Sequence, residues 1–143
     1  YGFSGNGKCE SELAEILSEI ADPALFIIDC EANCAGDPPA FAKRLTAFID
    51  ILRRDHPTMP ILVLTRIAFA RENAENADLC RRLQMDEVNR RYQAGDKNIH
   101  FMDGGKLLGN DFDECTVDGV HPTDLGFFRM AESLQDTIRR LIK

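Results

Sequence analysis

Ala24-Leu25-Phe26-Ile27-Ile28-Asp29 and, further along, Pro60-Ile61-Leu62-Val63-Leu64-Thr65 are two short apolar runs, each ending on a polar side chain. Neither run alternates apolar with polar residues. A strand with one wet face alternates, whereas a strand covered on both faces need not, and such strands belong to parallel sheets enclosed by helices. Between the runs, residues 40–55 space Phe41, Leu45, Phe48, Ile49 and Leu52 as the buried stripe of a helix. Strand, helix, strand in this order is the right-handed crossover unit of an α/β sheet.

The same rhythm extends outward in both directions. Residues 9–20 predict an amphipathic helix through Leu13, Ile16, Leu17 and Ile20, stopped by Asp22-Pro23. Residues 31–39 are rich in Gly, Pro, Asn and Asp and read as a loop. Residues 72–93 predict a long, polar helix with Ala77, Leu83, Val88 and Tyr92 inward. Residues 98–102 predict a third strand, and residues 104–117 a loop with one helical turn at 106–108. Residues 122–143 predict a last helix that turns Leu125, Phe128, Ala131, Leu134, Ile138 and Leu141 inward. No repeat or linker divides the chain, so residues 1–143 form one α/β domain. Ligands of such sheets sit at the carboxyl ends of the strands, which directs attention to residues 31–33, 65–68 and 103–121.

Composition narrows the function. The 143 residues carry 24 acidic and 17 basic side chains, a net charge of −7. That balance lacks the positive footprint of a nucleic-acid binder. No run approaches the ~18–20 apolar residues of a membrane span. The five cysteines (Cys9, Cys30, Cys34, Cys80, Cys115) are odd in number and include no C-x-x-C pair. They are expected to be mostly reduced packing residues rather than a disulfide framework. Cys30, Cys34 and Cys115 fit no zinc spacing well, so neither metal nor cofactor is expected.

Three segments carry candidate chemistry. Of the histidines, His56 stands at a helix end and His100 inside a strand. His121 lies in Asp118-Gly119-Val120-His121-Pro122, where Gly119 permits a tight turn and Pro122 suits a helix start. An Asp three residues before a His can accept from its Nδ1–H and leave Nε2 as a base; the same pattern also serves a plain helix-initiating turn. Gly2-Phe3-Ser4-Gly5-Asn6-Gly7 offers backbone N–H groups suited to an oxyanion, or is simply a flexible loop. Asn33, just past the first strand, carries an amide that either donates to an oxyanion or closes a turn.

Taken together, these blocks resemble the SGNH (GDSL-type) hydrolases, most of all the bacterial branch with G-F-S-G-N-G and V-D-G-V-H-P-T-D blocks. The likeness runs over essentially all of the chain. It implies a flavodoxin-like, three-layer α/β/α parallel sheet and a serine esterase that needs no metal. It assigns Asp118 and His121 as catalytic acid and base, and Gly5 N–H and the Asn33 amide as oxyanion donors. A small-molecule or carbohydrate ester, such as a sugar O-acetyl ester, is the implied substrate. Two departures stand out. The block around Asn33 usually reads G-x-N-D, and here it is Glu31-Ala32-Asn33-Cys34. The first block, with the nucleophilic serine at the end of the family's first strand, is absent. Ser4 does not replace it, because Gly5-Asn6-Gly7 fits the second block. The expectation is therefore a domain lacking its first strand and helix and most of its second strand, inactive by itself. In the order 2-1-3-4-5 the missing first strand would leave residues 25–28 as an open edge, prone to self-association. A second reading from the same rhythm is a receiver-like signalling module, with Asp29 as phosphoacceptor and Thr65 and Lys106 as its partners.

Overall fold

The structure is a computed structural model and describes residues 1–70 and 74–142. Its elements are α1 (Ser11–Ser18), β1 (Phe26–Ile28), α2 (Pro38–Asp55), β2 (Ile61–Leu64), α3 (Ala74–Gln93), β3 (Ile99–Met102) and α4 (Asp124–Leu141). Single 3₁₀ turns lie at Ser4–Asn6, Glu31–Asn33, Gly104–Lys106 and Phe112–Cys115. The three strands are parallel in the order β1-β2-β3, with Ile27 opposite Leu62 and Leu62 opposite His100. This is the α/β parallel sheet expected from the unalternating apolar runs.

Alternation along the strands sorts the core into two layers. Ile28, Ile61, Val63 and Ile99 point to the face covered by α1, α2 and α3, where Phe41, Leu45, Ile49 and Leu52 of α2 fill the main core. Leu64 and Met102 point to the other face, packing with Leu107, Leu108, Cys115 and, from α4, Met130 and Leu134. There α4 is the only long helix among the described residues, and β1 pairs on one side only. Ile27 is accordingly 38% exposed.

Several boundaries and faces differ from the sequence expectation. Helix α2 starts at Pro38, not residue 40, because a proline in the first turn has no intrahelical N–H to lose and Asp37 caps the end, accepting from Ala40 N at 3.1 Å. Helix α1 starts after Cys9, whose φ of +57° is not helical. Helix α4 starts at Asp124 behind its Thr123 cap. The first residues of the expected third helix, 72 and 73, lie outside the described residues. The inner stripe of α3 is Ala77, Cys80, Gln84, Val88 and Arg91; Leu83 is half-buried and Tyr92 exposed. Two polar residues in that stripe conceal its phase from a hydrophobicity reading. On α4, Leu125, Phe128 and Ala131 are exposed rather than inward, and Gly126 is the buried position. This helix rests on the corner formed by Cys115 and leaves Phe127 and Phe128 each 59% exposed.

The cysteine expectation is corrected in one respect. Cys9 and Cys30 form a disulfide, while Cys34, Cys80 and Cys115 are buried free thiols. Folding brings together two cysteines that sit 21 positions apart, which their spacing does not announce.

Candidate active site

The loop before α4 carries the clearest constellation. The Asp118 carboxylate accepts from the backbone N–H groups of Val120 at 3.0 Å and His121 at 2.8 Å. Its other oxygen meets His121 Nδ1 at 2.7 Å. The His121 backbone N–H and then its imidazole hold the Asp118 carboxyl down at about 2. The carboxylate thus fixes the ring and leaves Nε2 facing outward. The His121 side chain is 77% exposed, so its ring is open to an incoming group. Two contacts fix the loop: Val117 N–H donates to His121 O at 2.8 Å, and Ala70 N–H to Gly119 O at 2.8 Å. Gly119 adopts a φ of +84°, in accord with the tight turn expected of it.

The opposite wall is the glycine block. Asn33 Nδ2 donates to Ser4 O at 2.9 Å and Gly7 O at 3.1 Å, so the amide staples this block to the turn after β1. The Cys9–Cys30 disulfide and a hydrogen bond from Arg44 Nε to Lys8 O at 2.9 Å hold the far end of the block. Nothing lies within 4 Å of where a Gly5 Cβ would stand, so a substrate oxygen can approach that backbone.

Beneath the wall lies a network that hydrophobic patterning did not reveal. Glu31 is 2% exposed and accepts from Arg66 N–H at 3.2 Å, Arg66 Nε at 3.1 Å and Gln84 Nε2 at 2.7 Å. The Arg66 guanidinium also sits 4.3 Å from the centre of the Phe69 ring. Asp29, at the end of β1, keeps an open edge to solvent, yet the protein around it and the Glu31 charge push its carboxyl up to about 6. A buried Glu, Gln and Arg at loop and helix positions leave no periodic signal; only the departure at Glu31 from the usual glycine marked the spot.

These walls enclose a cleft of about 450 Å³ at the carboxyl ends of the strands, lined by Gly5, Asn33, Arg66, Phe69, His121 and Phe127. All four sequence-assigned groups border it or, for Asp118, bond a residue that does. Ser4 reaches the same cleft, but among the described residues the His121 ring bonds Asp118 and no serine hydroxyl. The other histidines stand elsewhere: His56 caps α2, its Nε2 2.8 Å from Ser18 O, and His100 lies on β3. At the residues of the receiver reading, Thr65 Oγ1 donates to Asp103 at 3.2 Å and accepts from Gly104 N–H at 2.7 Å.

A histidine–carboxylate pair thus faces a glycine-and-asparagine wall across the strand ends of an α/β sheet. The chain belongs to the GDSL-like lipase/acylhydrolase family, whose sequence model matches residues 1–139. It is similar to a protein described as a GDSL-like lipase from Bacteroides ovatus ATCC 8483, with 35% identity and a TM-score of 0.85 over 96% of this chain and 41% of that one. Its fold also resembles a family two carbohydrate esterase from Clostridium thermocellum solved with cellohexaose, with 22% identity and a TM-score of 0.68 over 82% of this chain and 36% of that one. A salicylyl-acyltransferase from a tetracycline biosynthetic pathway shares the fold at 18% identity and a TM-score of 0.79, over 94% of this chain and 42% of that one. The chain therefore spans less than half the length of these proteins. No curated protein sequence matches it.

Proposed function

We propose that this chain supplies the base and the oxyanion wall of a serine ester hydrolase. The observation that carries the reading is the Asp118–His121 pair, at 2.7 Å, across the cleft from Gly5 and Asn33. His121 Nε2 takes the proton of a serine hydroxyl as its oxygen attacks the ester carbonyl. The tetrahedral oxyanion is met by the Asn33 amide, which releases Ser4 O, and by Gly5 N–H once the Ser4–Gly5 peptide, whose carbonyl faces Asn33 in this structure, turns over. His121 returns the proton to the departing alcohol. A water then repeats the attack on the acyl-enzyme with His121 again as base, releasing the acid and the free serine.

The serine belongs to a strand that pairs with the open side of β1. Beside β1 runs a groove of about 270 Å³ lined by its Phe26, Ile27 and Ile28, by Leu13 and Leu17 of α1, and by Phe3. Its upper end reaches Asp29 and Asn33, at the floor of the cleft. A parallel strand laid there ends next to the oxyanion wall. By this reading the nucleophile is not among residues 1–143, and the isolated chain hydrolyses no ester. The substrate class we favour is a short acyl ester of a carbohydrate, for which the carbohydrate esterase of like fold is the support.

The test is His121→Ala in a protein that carries this chain together with its nucleophile strand. Turnover of an activated acetyl ester should fall by about 10³-fold or more. Turnover equal to that of the unmodified protein overturns the assignment. Labelling of the isolated chain by a fluorophosphonate at Ser4 overturns the claim that the serine lies elsewhere.

A further inference from the structure

Glu31, two residues before Asn33, stands where the resemblance implies a glycine, and it is buried with its carboxylate hydrogen-bonded. We infer that Glu31 is the positioning residue of the oxyanion wall, a role that rests on the reading of Asn33 and Gly5 given above. A glycine at that place would let the loop turn tightly and aim the asparagine through its backbone. In this chain the 3₁₀ turn Glu31–Asn33 is held through a side chain instead.

The three donors on Glu31 come from two different elements. Arg66 offers its backbone N–H and Nε from the segment after β2, and Gln84 offers its amide from α3. A carboxylate with 2% exposure loses hydration that these charge-assisted bonds must replace, so its place is sharply defined. Glu31 O also accepts from Cys34 N at 2.8 Å and Ala35 N at 3.0 Å, which ties the turn on both flanks of Asn33. Asn33 in turn grips Ser4 O and Gly7 O, the carbonyls on either side of Gly5. The chain of contacts thus runs from the buried ion pair through Asn33 to the Ser4–Gly5 peptide, which carries the second oxyanion donor. Displacement at its root moves both oxyanion donors together.

Glu31→Gln keeps the size of the side chain and removes its charge. It leaves the Arg66 guanidinium against a neutral amide, and one end of that amide offers N–H groups to donors. Two measurements read the consequence. In the 143-residue chain, the NMR signals of the Asn33 side-chain NH₂ should shift and exchange with water faster. In the active protein, kcat should fall on the order of 10²-fold while KM stays within about twofold, the pattern of lost transition-state contacts. Leu52→Ala, a core change in α2 remote from the cleft, serves as the stability control. Unchanged Asn33 signals with unchanged kcat overturn the inference. So does an equal fall of kcat in Leu52→Ala, since Glu31 would then act only through stability. If His121→Ala leaves turnover intact, the functional reading falls, and the Asn33 signals still decide the positioning role. Should Glu31→Gln fail to fold, Gln84→Met removes one donor from the same carboxylate and should move both readouts in the same direction, by less. A folded Gln84→Met protein showing neither change overturns the inference.

Discussion

Gly119→Ala strikes the point where the loop carrying Asp118 and His121 is anchored. Gly119 has a φ of +84°, a left-handed conformation that costs an L-residue about 1–2 kcal/mol. An added Cβ would stand 2.9 Å from the Ala70 Cβ, inside the normal carbon separation of about 3.5–4.0 Å. Ala70 has no rotamer to yield, so relief requires the backbone to part, at a cost of about 1–3 kcal/mol for an overpacked contact. The sum, about 2–5 kcal/mol, is a large share of an ordinary domain's margin of about 5–15 kcal/mol. The parting also strains the hydrogen bond from Ala70 N–H to Gly119 O at 2.8 Å and moves Asp118 and His121, which flank the glycine. Chemical denaturation of the chain should show a lower midpoint, and the His121 ring signals should shift as its contact with Asp118 loosens. In the active protein, ester turnover should fall as well. An unchanged midpoint with undisturbed His121 signals would refute the reasoning.

Other outcomes follow from the same structure. Cys9→Ser opens a disulfide spanning 21 positions and should cost about 3 kcal/mol, read as a lower unfolding midpoint under oxidising conditions; an equal midpoint in reductant-treated and untreated wild type would contradict it. Asp118, held down at about 2, should keep its contribution in full above the ordinary carboxylate value of about 3.9 and lose it as the pH falls through about 2. An NMR titration of its carboxyl carbon with an inflection near 4 would disprove that. The isolated chain should self-associate through the open β1 edge or the α4 face, and Ile27→Lys should weaken the association if the edge is the route. Sedimentation showing a cooperatively melting monomer for the unmodified chain would exclude it.

The local patterns of this sequence were sufficient for the sheet and for the Asp118–His121 contact. Runs such as Ile61-Leu62-Val63-Leu64 are apolar on successive positions, and only a strand covered on both faces tolerates that. Asp118 and His121 are three residues apart around a glycine, so a short turn alone brings carboxylate to imidazole. Tertiary structure decided what depends on distant partners. Cys9 and Cys30 meet because the glycine block folds back on the end of β1, and neither spacing nor count foretells the pair. Gln84 and Arg91 lie on the inner stripe of α3 because Glu31 on one side, and Asp50 with Thr46 O on the other, receive their donors. A pattern that counts hydrophobic residues therefore placed Tyr92 inward, when it is exposed. The apolar residues of α4 were likewise read as buried, because periodicity records that a helix has an apolar face but not whether a neighbour covers it. Leu125 and Phe128 are exposed because the sheet beside β1 bears no second helix on that side among the described residues, and burial is a property of the partner as much as of the side chain.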